Sequence, residues 1–91
     1  MAVLRLARWP VSQDIYDAVV AETRLHTAHP IGLIMHSASH IDGELQVMQV
    51  WDSADYAVRY EEDVLEPALR KSGVTDPGDV HLYELHDLVT P

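Results

Sequence analysis

Ninety-one residues with fifteen acidic and six basic side chains carry a net charge of −9, a surface that repels nucleic-acid phosphates and anionic lipid headgroups. The absence of cysteine excludes disulfides and thiolate metal sites, and no apolar run approaches the ~18 residues a membrane span requires. A hydrophobic fraction of 47% fits one folded domain over 1–91, cytoplasmic by default, with neither nucleic acid nor membrane as partner and with oligomerisation as the remaining source of extra stability.

The chain opens with "AVLRLARW" (Ala2 to Trp9), apolar on both alternating sets of positions, as in a strand covered on both faces. The start does not read as a signal peptide, since no small-residue cleavage pattern follows. Pro10 ends the strand, and Ser12 caps a helix with Asp14 in its first turn. Tyr16, Val19, Val20 and Thr23 form its buried stripe, and "HTAHPIG" closes it.

"GLIMHSASH" and "ELQVMQVW" are strands joined at Asp42-Gly43, a pair suited to a type I′ hairpin turn with positive φ at both central residues. Asp52 or Ser53 caps a second helix, Asp52 and Asp55 loosely forming a capping box. Tyr56, Tyr60, Val64 and Ala68 run down one side of that helix, Pro67 marks a kink or a restart, and Gly73 stops it. A turn-rich "TDPGD" leads to a last strand, "VHLYELHDLV". The order β-α-β-β-α-β is that of the ferredoxin-like split βαβ unit, an α+β fold with a four-stranded antiparallel sheet.

Two helices cover one face of such a sheet. The strands are apolar on the other face as well, with Leu33, Ile34 and Met35 consecutive and Val47 next to Met48. A patch of that size is rarely left exposed, so a homodimer packed sheet to sheet is predicted.

The element order, Trp51 closing the third strand and the run "VWDSADYAVRYEEDVLEPAL" resemble the antibiotic-biosynthesis-monooxygenase-like group of dimeric α/β barrels. The resemblance implies a dimeric barrel whose ligand cavity lies under the helices. It also implies activities that range from cofactor-free oxygenation of polyketide phenols to haem degradation, with polyketide cyclases among related barrels. The haem branch resembles this chain only at Trp51. By alignment its strand-one Asn falls on Leu4 and its helix-two His on Leu69, so no haem is expected.

Six histidines invite a metal reading. His36 and His40 share a strand face but lie about 13 Å apart at ~3.3 Å per residue, too far for one ion. His26 and His29 lack a third ligand in sequence, so neither metal nor any other cofactor is expected.

A two-residue turn pairs Ile41 with Glu44, hence His36 with Gln49 and Ile34 with Trp51. His36, Gln49 and Trp51 then share one face, with Met35, Ser37, Met48 and Val50 on the other. A neutral His36 with its tautomer fixed by Gln49 under an apolar roof fits a general base; the alternative is a core histidine satisfied by one amide. Trp51 reads as a pocket wall. Tyr16, Tyr56 and Tyr60 read either as core aromatics with a wet hydroxyl or as catalytic acids, Tyr16 and Tyr60 also as substrate-binding residues, and His86 on the last strand as a second base. Trp9 reads as a plug at the strand end.

Two functions remain open. One is a cofactor-free monooxygenase or cyclase that removes an acidic proton from an aromatic or enolisable, polyketide-like molecule. The other is a non-catalytic homodimer that binds a small hydrophobic molecule or assists assembly. A cavity of ~300 Å³ or more with His36 at its wall favours the first; a space filled by Tyr16, Tyr60 and Trp51 favours the second.

Overall fold

The computed structural model describes residues 1–76 and 78–90. Strand β1 spans Val3–Trp9, helix α1 Gln13–Thr23, strand β2 Leu33–Ile41 and strand β3 Glu44–Trp51. Helix α2, Ala54–Tyr60, runs through a π-helical turn at Glu61–Leu65 into α3, Glu66–Lys71, and β4 spans Asp79–Glu84. The four strands pair antiparallel in the order β2-β3-β1-β4. This is the predicted α+β architecture; the sheet is open, with β2 and β4 at its edges.

The hairpin forms as its turn chemistry requires. Asp42 and Gly43 take φ of 53° and 78°, and His36 pairs with Gln49. One pairing differs. A bulge between Leu33 and Met35 sets Leu33, not Ile34, opposite Trp51. The inserted residue leaves Ile34 unpaired and exposed.

Ser12 caps α1, its Oγ accepting from the backbone N–H of Ile15 at 3.3 Å. The helix stops earlier than "HTAHPIG", because Arg24 turns left-handed at φ 55° and the Leu25 N–H reaches back to the Val20 carbonyl. Ser53 takes an extended capping conformation, yet its side chain makes no capping bond.

The π turn resets the helical stripe. Pro67 has no N–H to donate and its ring crowds the preceding turn, and the five wide-turn residues end two positions before it. After the extra residue, Leu65 and Leu69 follow Tyr60 into the core, while Val64 swings out to partial exposure. The helix then ends at Gly73, φ 80°, where the Val74 N–H bonds the Leu69 carbonyl and the Gly73 N–H that of Arg70. The predicted "TDPGD" loop includes Pro77, outside the described residues; β4 is shorter than expected and ends at Glu84.

Under the helices lie two apolar clusters. One gathers Ala7, Trp9, Val19, Leu45, Val47, Leu65, Ala68 and Leu69; the other gathers Val3, Trp51 and Ala57. Trp9 is therefore a central core residue and not an edge plug.

Candidate functional site

Between those clusters one rung of the sheet is polar. Across β2, β3 and β1 the apolar rungs read Leu33–Trp51–Val3 and Ala38–Val47–Ala7, and the rung between them reads His36–Gln49–Arg5. All three side chains face the helices, because alternation gives them the parity of their buried neighbours. Tyr16, on the buried stripe of α1, comes down onto this rung.

The four groups form a directed chain. The Trp51 indole N–H donates to Gln49 Oε1 at 3.1 Å, and Gln49 Nε2 donates to His36 Nδ1 at 3.0 Å. His36 Nε2 lies 2.7 Å from the Tyr16 hydroxyl, their rings nearly parallel at an interplanar angle of 6°. Indole can only donate, so it claims the amide oxygen and turns the amide NH₂ toward Nδ1. Nδ1 must then accept, which puts the imidazole proton on Nε2, from which it is donated to the Tyr16 oxygen. The phenol O–H remains free to donate outward.

The same geometry keeps His36 neutral. A second proton on Nδ1 would face the Gln49 amide hydrogens. Burial lowers the His36 pKa below its usual 6.5, with the charges of His26 and Arg5 acting in the same direction. Burial raises the Tyr16 pKa, helped by Asp17 and Tyr60, so its phenol also stays neutral. Burial raises that of Tyr60 too, against the opposing effects of a hydrogen bond to Thr23 and of Arg5.

Arg5 is the strand-one residue that enters this site; Leu4 lies on the other face of β1. The Arg5 side chain is 4% exposed and donates from Nη2 to Glu61 Oε1 at 2.7 Å, while its buried Nη1 has no hydrogen-bond partner among the described residues. An unpartnered buried donor costs on the order of 1–3 kcal/mol, more when charged.

Arg5, Tyr16, Thr23, His36, Gln49 and Tyr60 border a small, partly open chamber of about 20 Å³. Open grooves flank it: one, of about 380 Å³, shares Tyr16 and Val20 with the chamber, and two more adjoin it. One, of about 290 Å³, shares Tyr60 and Thr23 with the chamber and is walled by Pro30, Ile31, Tyr56 and Val64. The other, of about 300 Å³, shares His36 and Leu25 and runs past Leu33, Ile34 and Met35.

The sequence-predicted site is thus partly assembled. His36, Gln49, Tyr16 and Tyr60 line one chamber. Trp51 is fully enclosed and lines none of the described cavities; it packs on Tyr60 at 5.3 Å between ring centroids, and its indole holds Gln49. It is an anchor, not a wall. His86 lies past the end of β4, exposed, and lines no described cavity, because the shortened strand carries it off the sheet. His36 is not presented as a base, since Trp51 turns the amide opposite to the way that role requires. Arg5 was missed, although it shares parity with Val3, Ala7 and Trp9 in an apolar strand. Among the described residues no three His, Asp or Glu side chains converge as metal ligands, and no helix is long and apolar enough to cross a membrane.

Solved structures share this fold over nearly their whole lengths. Rv0793 from Mycobacterium tuberculosis superposes with a TM-score of 0.72 at 18% identity, covering 99% of this chain and 100% of its own. SnoaB from Streptomyces nogalater, a cofactor-independent oxygenase solved as a point mutant, gives 0.70 at 17% identity, covering 99% and 98%. A conserved protein from Methanosarcina mazei Go1 gives 0.71 at 12% identity over 91% of both chains. Several others bear the provisional designation antibiotic biosynthesis monooxygenase. The chain therefore has the ferredoxin-like fold of the antibiotic-biosynthesis-monooxygenase-like proteins. No family model and no curated protein matches its sequence.

Proposed function

We propose that this protein is a cofactor-free enzyme, an oxygenase or cyclase, acting on an aromatic or enolisable small molecule of polyketide type. The observation that carries this reading is the directed chain Trp51–Gln49–His36–Tyr16, which ends in a free phenol O–H at the chamber's border. Neutral donors in a dry site stabilise charge that develops on a substrate oxygen. In the opening step an acidic C–H or O–H bond breaks, the electron pair stays on the substrate oxygen, and the proton passes to water in the groove. Tyr16 donates to the new anion, while His36 and Gln49 hold Tyr16 in place.

Dihydroxyanthrone under air tests this directly. Oxygenation consumes one O₂, places one atom in the new quinone carbonyl and releases the other as water. Acceleration over buffer by the wild type, cut at least about tenfold in Tyr16→Phe, is expected from the loss of one oxyanion donor. No acceleration by the wild type sinks the oxygenase.

A second reading, a non-catalytic binding protein, is favoured by the chamber's size, since Tyr16 and Tyr60 fill most of the space beside His36. The solved relatives' fold and the His36-lined groove of about 300 Å³ weigh toward the enzyme.

Either function fits a homodimer. The helix-free face exposes Met35, Met48 and Tyr83 around half-buried Leu4 and Leu6, an apolar surface that a second copy's sheet would cover and so close a barrel. Sedimentation should give a dimer at micromolar concentration, and Met48→Glu should shift it to monomer with the fold intact. A wild-type monomer contradicts the pairing.

A further inference from the structure

We infer that Arg5 Nη1 is the anchor for an ionised oxygen of the ligand, so that the site takes a small apolar acid, an enolate or phenolate, with its ring in the groove beside Tyr60. This inference deepens the proposed function and rests on it for the ring chemistry.

Among the described residues Arg5 is the only charged side chain that is buried, in a chain whose net charge is −9. Its guanidinium is half used: Nη2 binds Glu61, and Nη1 lies buried without a partner. The chamber it borders has room for one oxygen-sized group. The polar groups around that space are donors. The Gln49 oxygen is taken by Trp51 and His36 Nδ1 by Gln49, while Thr23 Oγ1 donates to the Val20 carbonyl. The Tyr60 hydroxyl is engaged with Thr23, so what remains is Arg5 Nη1 and the Tyr16 O–H, with no carboxylate lining the chamber. Two donors, one of them cationic, select an anionic oxygen over a neutral one.

The groove supplies the place for the ring. It meets the chamber at Tyr60 and Thr23; its Pro30, Ile31, Tyr56 and Val64 offer flat and aliphatic surface, and the oppositely charged Arg59 and Asp63 complete its wall. Gly32 lets Tyr56 lie against the backbone there, since a Cβ at that position would come within 2.5 Å of the Tyr56 ring. Tyr60 is the partition between groove and chamber. It is the last residue before the π turn and lines both spaces.

The test is equilibrium binding at pH 7 of 2-hydroxy-1,4-naphthoquinone, whose enol is ionised there, against its neutral methyl ether. The wild type should bind the acid at least about tenfold more tightly than the ether, the scale of one charge-assisted hydrogen bond. Arg5→Met should bring the two affinities together. Glu61→Gln, which removes the carboxylate competing for Arg5, should tighten the acid and leave the ether unchanged. Equal wild-type affinities, no detectable acid binding, or selectivity that survives in folded Arg5→Met would overturn the inference. Should Arg5→Met fail to fold, acid affinity unchanged in Glu61→Gln would overturn it. Binding selectivity without anthrone turnover rejects the oxygenase and keeps Arg5 as anchor; turnover without selectivity does the reverse.

Discussion

Trp9 and Trp51 close opposite ends of the same sheet face, and both are buried, but their surroundings differ. Around Trp9 the packing is largely aliphatic, with Val19, Leu45, Val47 and Leu65 from both strands and helices. Around Trp51 the apolar cluster is small, and one edge of the indole turns to a polar rung. The first end holds the fold together. The second transmits order into the site, because a donor-only ring fixes an amide, the amide a tautomer, and the tautomer a phenol. Both ends contribute to stability, but only the Trp51 end adjoins the polar rung on which the proposed function rests.

Truncation should bring out what the two ends share. Trp9→Ala and Trp51→Ala should each cost about 3–5 kcal/mol, the range for emptying a buried aromatic site, read from urea denaturation. The milder Trp9→Phe and Trp51→Phe should then divide them. Both leave smaller cavities, but only Trp51→Phe should weaken Tyr16-dependent turnover or acid binding. Equal functional losses in the two Phe variants would erase the distinction.

How much of this contrast was legible in the sequence depends on the element. Asp42-Gly43 fixed the hairpin and with it the His36–Gln49 pair, because turn type sets register. The bulge before Met35 left no mark in "GLIM", where every residue is apolar and either parity suits a strand, so Trp51 was paired one residue off. The close of α1 was misjudged because Arg24, not a glycine, takes the left-handed turn. Pro67 announced an irregular helix without saying that the register would shift from Val64 to Leu65. Arg5 could have been found by parity, but its neighbour Gln49 lies on β3, and that pairing needs the sheet order. The chamber's donors depend on tertiary contacts between α1, β2 and the π turn, which no local pattern encodes.

A smaller effect concerns acid. The native pKa of His36 lies below its ordinary 6.5, so on acidification the unfolded chain takes up this proton first. His36 therefore costs the fold nothing above pH 6.5, and stability is lost as pH falls from there toward its lowered native value. Denaturant melts at pH 7.5 and 5.5 should show a larger acid loss in the wild type than in His36→Gln, whose amide does not titrate. An equal loss in both would mean that His36 protonates freely in the native state.

The orientation of the chain itself is open to one direct measurement, the imidazole nitrogen shifts of His36 in ¹⁵N-labelled protein at pH 7. The expected result is a neutral ring with the proton on Nε2 and an unprotonated Nδ1, and loss of that preference in Trp51→Phe, where Gln49 is free to turn. A proton on Nδ1, or an imidazolium, in the wild type would contradict the claim that Trp51 sets the direction of the site.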